Sequence, residues 1–310
     1  MSEQFKSGFV SILGRPNSGK STLLNALVGQ KVAITADKPQ TTRMAIQGVL
    51  TRPDAQIVFL DTPGIHKADN PINKRMMEAV RASLDQRDLL LFLVDATARP
   101  GEPDRHAVDL AKKGGAPILL VLTKIDLLHD KAEMLPVIER YQAWHDFAAS
   151  IPVSATRRDG LEVLEGEIVA RLPEGPHYFP DDYVTDQPER FLAAELIREK
   201  ILRLTREEVP HSVAVTVDSW EDAGALTRIY ATIRVERDGQ KGIIIGSKGA
   251  MLKKIGTQAR EEIETLIERK VYLDLHVRVQ PGWREKPAFL DTIDWRTMAG
   301  KAETDDESNA

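Results

Sequence analysis

Short unbroken apolar runs, separated by amphipathic stretches, fill the first part of the chain. The runs at 8–13, 47–51, 55–60, 88–94, 117–122 and 150–153 have the length of strands. "LLLFLV" (89–94) and "PILLVL" (117–122) carry almost no polar residue. That pattern predicts strands buried on both faces, as in a parallel sheet. Stretches 20–28, 71–85, 103–113, 131–148 and 161–171 repeat apolar residues at helical spacing. The alternation predicts an α/β layer with a mostly parallel sheet. "LPEGPHYFPDDYVTDQP" (172–188) has no period and many prolines, so it reads as a linker. The grammar then changes. A long helix, "PERFLAAELIREKILRLTREE", precedes two alternating strands, "SVAVTVDSW" and "TRIYATIRVER". A glycine-rich turn, a second long helix and the strand "VYLDLHVRVQ" follow. The polar, acidic end "AGKAETDDESNA" reads as a frayed tail. The expected division is 5–172, a linker at 173–188, a second domain at 189–297 and a disordered tail at 298–310.

Composition narrows the chemistry. A chain of 310 residues that is 42% apolar can bury two ordinary cores. Its net charge of −5 offers no global basic field, so any polyanion site must be a local patch. Cysteine is absent, which removes disulfides, cysteine-ligated zinc and thiol catalysis. "MSEQFKSGFVSIL" lacks a signal-peptide pattern, and the apolar runs are too short to span a bilayer. A cytoplasmic protein is expected. The seven histidines are scattered and form no metal-type pair.

The candidate chemistry begins at "GRPNSGKST", where Gly14, Arg15, Pro16, Asn17, Ser18, Gly19, Lys20, Ser21 and Thr22 fit G-x-x-x-x-G-K-S/T. Glycines let backbone N–H groups turn toward phosphate oxygens, Lys20 reaches the β- and γ-phosphates, and the Ser21 hydroxyl suits Mg²⁺. "FLDTPG" closes a strand with Asp61, Thr62, Pro63 and Gly64. Asp61 would hold Mg²⁺ through a water, and the Gly64 N–H would meet the γ-phosphate. "VLTKID" closes another strand with Thr123, Lys124, Ile125 and Asp126. The Asp126 carboxylate can accept from guanine N1–H and the 2-amino group, a donor pair adenine lacks, while the Lys124 stem can lie along the base. "VSAT" places Ser154, Ala155 and Thr156 after a further strand, where a backbone N–H near Ala155 would meet guanine O6. The shared strand-end placement of these short motifs is what gives them force.

The run GRPNSGKST, KPQTTR (38–43), DTPG, TKID and SAT resembles the GTPase domain of the Era family, bacterial GTPases related to translation factors. The resemblance implies GTP and GDP as ligands. It also implies that Thr42 is the switch hydroxyl that joins Ser21 and Asp61 around Mg²⁺ in the GTP state. Asn17 matches an asparagine that binds K⁺ in related potassium-activated GTPases. Two positions depart from common patterns. The guanine motif usually begins with asparagine, whereas Thr123 offers no amide to the base, so weaker nucleotide binding is expected. Ile65 occupies the place of the water-orienting glutamine of Ras-like enzymes. Hydrolysis would then fall to Lys20, Asn17, Thr42 and Gly64, slow and stimulated by K⁺. Residues 31–47 and 65–75 are expected as switches.

In the second domain, "GIIIGSKGAMLKKIG" carries G-x-x-G at Gly246, Ser247, Lys248 and Gly249. It lies in the order helix, strand, strand, helix, turn, helix, strand, which is the type II KH arrangement, a fold that clamps nucleic-acid backbone. Five basic residues and no acidic one occupy 241–260. Lys241, Lys248, Lys253 and Lys254 are candidate phosphate contacts, with Arg228, Arg234 and Arg278 extending the patch. Ile243, Ile244 and Ile245 would line an apolar groove or pack into the core. The fold class expected is a P-loop GTPase domain with a mostly parallel sheet, followed by an α+β type II KH domain. The Era-family resemblance covers both and implies a monomer that binds the 3′ end of small-subunit ribosomal RNA and the small ribosomal subunit in its maturation. It also implies weak peripheral membrane contact, for which the sequence has no anchor. A nucleotide kinase is disfavoured by TKID and SAT, and a KH protein with a degenerate P-loop by intact Lys20, Ser21 and Asp61.

Overall fold

A computed structural model describes residues 4–38, 40–65, 70–85 and 87–296. The tail expected at 298–310 lies outside the described residues, as do parts of the two expected switches, residue 39 and residues 66–69. Among the described residues the chain forms two compact units. The first takes residues up to 35, 42–65 and 73–186; the second takes 36–41, 70–72 and 187–296.

The first unit is built on a six-stranded sheet in the order β2-β3-β1-β4-β5-β6. The strands are β1 (Lys6–Gly14), β2 (Ile46–Thr51), β3 (Ala55–Asp61), β4 (Leu89–Asp95), β5 (Ile118–Thr123) and β6 (Ala149–Pro152). Neighbours are parallel except for β2 against β3. Strand β4 shows why its run had to be apolar throughout. Leu89, Leu91 and Leu93 enter a layer with Leu23 and Leu24 of α1 (Lys20–Val28) and Leu164 and Ile168 of α5 (Leu161–Arg171). Leu90, Phe92 and Val94 enter the opposite layer with Val80 of α2 (Pro71–Asp85), Val108 of α3 (Glu102–Ala111) and Tyr141 of α4 (Met134–Gln142). Successive strand residues face opposite ways, so two covered faces leave no place for polar side chains.

One local expectation is corrected. The helix foreseen over 131–148 is confined to α4, after a 3-10 turn at Lys131–Glu133. Asp130 caps that turn by accepting from the Ala132 N–H at 2.9 Å. Beyond Gln142 the chain turns so that Phe147 packs beside Phe92, with ring centroids 6.2 Å apart.

The stretch from 173 to 186, within the expected linker, is strapped to the first unit. Gln56, fully buried on β3, accepts from the N–H groups of Tyr178 and Phe179 at 2.7 and 3.0 Å. It also donates to the Phe179 carbonyl at 3.0 Å. The Val49 N–H donates to the Val184 carbonyl at 2.8 Å, and the Thr185 hydroxyl to the Gln47 carbonyl at 2.7 Å. A proline-rich segment cannot form its own ladder, but its backbone groups still need partners, and β2 and β3 supply them.

The second unit has a three-stranded sheet, β7-β8-β9. Strand β7 (Ala214–Ala223) is antiparallel to β8 (Leu226–Val235), which is parallel to β9 (Lys270–Val279). Helices α6 (Glu189–Leu204) and α8 (Ala250–Ile267) pack on it. Ile255, Ala259, Ile263 and Ile267 of α8, four residues apart, are the buried stripe. Between β8 and α8 lie α7 (Asp238–Ile245) and the G-x-x-G turn, in the order expected for a type II KH domain. After β9, Trp283 is fully buried and its Nε1–H donates to the Ser212 carbonyl at 3.0 Å. Its ring meets Phe289 of α9 (Pro287–Ile293), a helix the periodicity did not announce.

Candidate nucleotide site and nucleic-acid interface

The nucleotide site sits where strand order reverses, at the carboxyl end of β1 between β3 and β4. Residues 15–19 form the loop between β1 and α1. Asn17, exposed at its tip, and Gly19 adopt positive φ of 64° and 85°. Lys20 is buried and donates to the carbonyls of Gly14 and Arg15 at 3.2 and 3.0 Å. Burial lowers its pKa to about 8, with the Asp61 charge pulling the other way. Arg15 is held aside by Asp104 of α3 at 3.0 Å.

Three oxygens converge beyond Lys20. The Ser21 hydroxyl lies 2.7 Å from Asp61 Oδ2 and 2.7 Å from the Thr42 hydroxyl. Burial raises the Asp61 pKa to about 6 against Lys20, Ser21, Thr42 and the Thr62 N–H. Asp61 Oδ1 is buried without a hydrogen-bond partner. Two hydroxyls and a carboxylate with an unused buried oxygen suit a hard divalent cation. Thr62 is fixed by donating to the Ile12 carbonyl at 2.8 Å. Gly64 lies against Pro16: a Cβ there would fall 2.9 Å from the Pro16 Cγ, so only glycine lets the two loops meet. Ile65 packs against the core layer that contains Phe92. It has no group with which to orient a water.

At the other end of the site, the buried Thr123 hydroxyl lies 2.9 Å from the Ser18 carbonyl and 3.0 Å from the Val94 carbonyl. It ties the strand end to the phosphate loop and does not face outward. Lys124 has φ 60°, and its ammonium pairs with Asp95 at 2.7 Å. The Ile125 N–H points to the Val153 carbonyl at 3.5 Å, linking the ends of β5 and β6. Asp126 is half-buried. Ser154 is buried, exchanges backbone bonds with Asp159 and lies 3.2 Å from the Thr156 hydroxyl, so Ala155 sits on a pinned turn.

In the second unit, Gly246 has φ 70° and ψ 178°, a region open to glycine, and Lys248 has φ 50°. Ser247 and Lys248 are exposed on the turn, and Gly249 caps α8. Beside the turn a groove of about 390 Å³ runs between α8 and β9. Gly249, Leu252, Lys253, Gly256, Leu273 and Leu275 line it, with Arg260 along one side. Lys253 therefore reaches the groove, whereas Lys254 and Lys241 are not among its walls. Of the two roles open to Ile243–Ile245, groove lining or core packing, Ile244 takes the core: it is fully buried, Ile243 is 47% exposed on α7, and the groove floor comes from β9. Arg228, Arg234 and Arg278 are also corrected. They alternate in register with the groove-lining Leu273 and Leu275, so they point to the other face of the sheet. Gly256, in mid-helix, lines the same groove, and a Cβ there would lie 3.4 Å from Leu275, an ordinary contact.

This fold and these sites define a P-loop GTPase carrying a KH domain. The profile described as 50S ribosome-binding GTPase matches residues 9–124, and a KH-domain profile matches 208–284. The GTPase Era of Geobacter metallireducens is 53% identical over 291 residues, 93% of this chain and 97% of its own length. That of Geotalea uraniireducens is 52% identical over 289 residues, again 93% and 97%. The chain belongs to the Era family of GTPases. Among the solved structures that match it are two that are each 41% identical and cover 94% of this chain and 99% of their own. One is a single-substitution variant of Aquifex aeolicus Era bound to GDP·AlF4⁻, with a TM-score of 0.90. The other is Era in complex with MgGDPNP and nucleotides 1506–1542 of 16S ribosomal RNA, with a TM-score of 0.91. The chain is thus a GTP-hydrolysing, RNA-binding protein. Among the described residues no helix is long and apolar enough to cross a membrane.

Proposed function

We propose that this protein is a GTP-switched RNA-binding factor that grips the 3′ end of small-subunit ribosomal RNA and assists maturation of the small ribosomal subunit. The observation that carries this reading is the likeness, over 94% of the chain, to an Era structure holding MgGDPNP and that stretch of 16S RNA. The groove beside Gly246–Gly249 adds to it, with apolar walls for bases and Lys248 and Lys253 for phosphates.

In this reading the Gly14–Thr22 loop cradles the phosphates through backbone N–H groups, and Lys20 moves from its carbonyl partners onto the β- and γ-oxygens. Ser21, Thr42 and Asp61 hold Mg²⁺, which when bound neutralises charge on the transferring phosphoryl group. Asp126 accepts from the guanine edge, and the Ala155 N–H donates to O6. With Ile65 packed against the core, Asn17 would hold K⁺, and a cation bound there would supply the charge that an arginine finger otherwise brings. Thr42 senses the γ-phosphate, and the chain passes from the second unit to the first between Thr41 and Thr42. Through that junction the nucleotide state would bias the grip on RNA, and linkage requires RNA to bias nucleotide affinity equally. The protein acts as a monomer in the cytoplasm.

The test is RNA crosslinking of the full chain with GDP or a non-hydrolysable GTP analogue, for the parent and Lys248→Glu. Nucleotide-dependent crosslinks that the variant loses, with nucleotide binding intact, are expected. Crosslinks that are equal in both nucleotide states, or unchanged in the variant, would refute the reading.

A further inference from the structure

The purine end of the site contains an ion pair that the guanine motif does not account for. Asp95, the last residue of β4, is the direct register neighbour of Thr123 on β5. Its Oδ2 holds the Lys124 ammonium at 2.7 Å. Its Oδ1 accepts from the Thr97 N–H at 2.9 Å and the Thr97 hydroxyl at 2.7 Å. The Ala98 N–H closes the same turn onto the Asp95 carbonyl at 3.0 Å. The carboxylate is therefore fixed from its own side before it meets the lysine.

Lys124 has the opposite character. Its backbone is in the left-handed region, and its side chain is one-third exposed. A four-carbon stem with a free ammonium samples many rotamers, and ordering it costs conformational entropy. Thr123 adds to the demand on this lysine. Its one hydroxyl proton is shared between the Ser18 and Val94 carbonyls, so it offers the base no side-chain donor. What remains for a purine is the Asp126 edge, the turn at Ala155 and whichever face the Lys124 stem presents.

We infer that Asp95 is a positioning residue for purine binding: by anchoring the Lys124 ammonium, it holds the lysine stem extended as the apolar wall on which the base rests. The inference rests on the guanine-nucleotide reading of the site. It assigns Asp95 no contact with the nucleotide, because its effect passes through Lys124. In this chain the anchoring matters more than it would beside an asparagine, because the first residue of the motif is committed to the phosphate loop.

A double-mutant cycle on the full chain decides it, with fluorescent GDP as the probe for equilibrium affinity and dissociation rate. Asp95→Asn should weaken GDP binding by about fivefold, the scale of a partly exposed ion pair. KM for GTP should rise with kcat unchanged. In a Lys124→Ala background the same change should alter affinity by less than twofold, because an effect that acts only through Lys124 vanishes with it. An effect that Asp95 exerts through its own turn, by holding Thr97, would instead keep its full factor in that background. Persistence of that factor, a single variant within twofold of the parent, or a fall in kcat would each overturn the inference. Failure of the parent to prefer GDP over ADP would overturn the reading of the site instead, so the two failures are distinguishable.

Discussion

Asp61→Asn tests the electrostatics of the cation seat directly. In the free protein Asp61 is a buried carboxylate whose pKa is raised from 3.8 to about 6. A native pKa above the unfolded one means that the native state holds its proton more tightly. The stabilisation is complete below about pH 3.8 and is lost as pH rises through about 6. A shift of about two units corresponds to about 3 kcal/mol. Nucleotide- and Mg²⁺-free parent protein should therefore lose about 3 kcal/mol relative to Asp61→Asn across that window. Carboxylates held below their ordinary range, such as Asp54 and Asp95, slope the other way. They are common to both proteins, so the difference cancels them. The assay is urea unfolding at each pH, followed by a deuterium pulse at one common pH and readout at peptides from β4 and β5. The transition followed is then that of the first unit. At neutral pH the apo variant should be the more stable protein and yet bind Mg²⁺ and GTP far more weakly. Superimposable stability–pH curves for parent and variant would refute the reasoning.

Two further expectations are cheaper to check. Gly246→Ala places a Cβ 2.7 Å from that of Met251 in a backbone region that only glycine occupies freely, whereas Gly249→Ala meets nothing within 4 Å. The first should lower stability by about 2–3 kcal/mol and the second by about 1, read as melting temperature; equal losses would contradict the geometry. GTP turnover should rise several-fold when K⁺ replaces Na⁺, and Asn17→Ala should abolish the difference; identical turnover in the two salts removes the K⁺ role.

The nucleotide end of the molecule was legible because its signals are local. A strand, a tight turn and a helix start lie within the Phe9–Leu24 stretch, and strand-end motifs inherit their placement from the sheet. The KH order was legible for the same reason. What stayed hidden depends on pairs distant in sequence. The groove floor at Leu273 and Leu275 faces α8 only after β9 joins β8 in parallel register. Asp95 and Lys124 meet because β4 and β5 align their ends, which neither segment states by itself. Trp283 finds Ser212 across the whole second unit. The fastening of the linker was not legible, because an aperiodic, proline-rich segment looks alike whether it is free or fastened; its partners, Gln56 on β3 and the backbone of Gln47 and Val49 on β2, lie far away in sequence.

That strap also guards the sheet. Strand β2 lies at one margin of the first unit's sheet, and a margin with unpaired backbone groups invites another chain to add a strand. The Val184 and Thr185 bonds to β2 occupy such groups, while the opposite margin, β6, is four residues long and ends in proline. Between them they leave little template for intermolecular β-pairing, so the segment between the domains protects solubility as well as joining them.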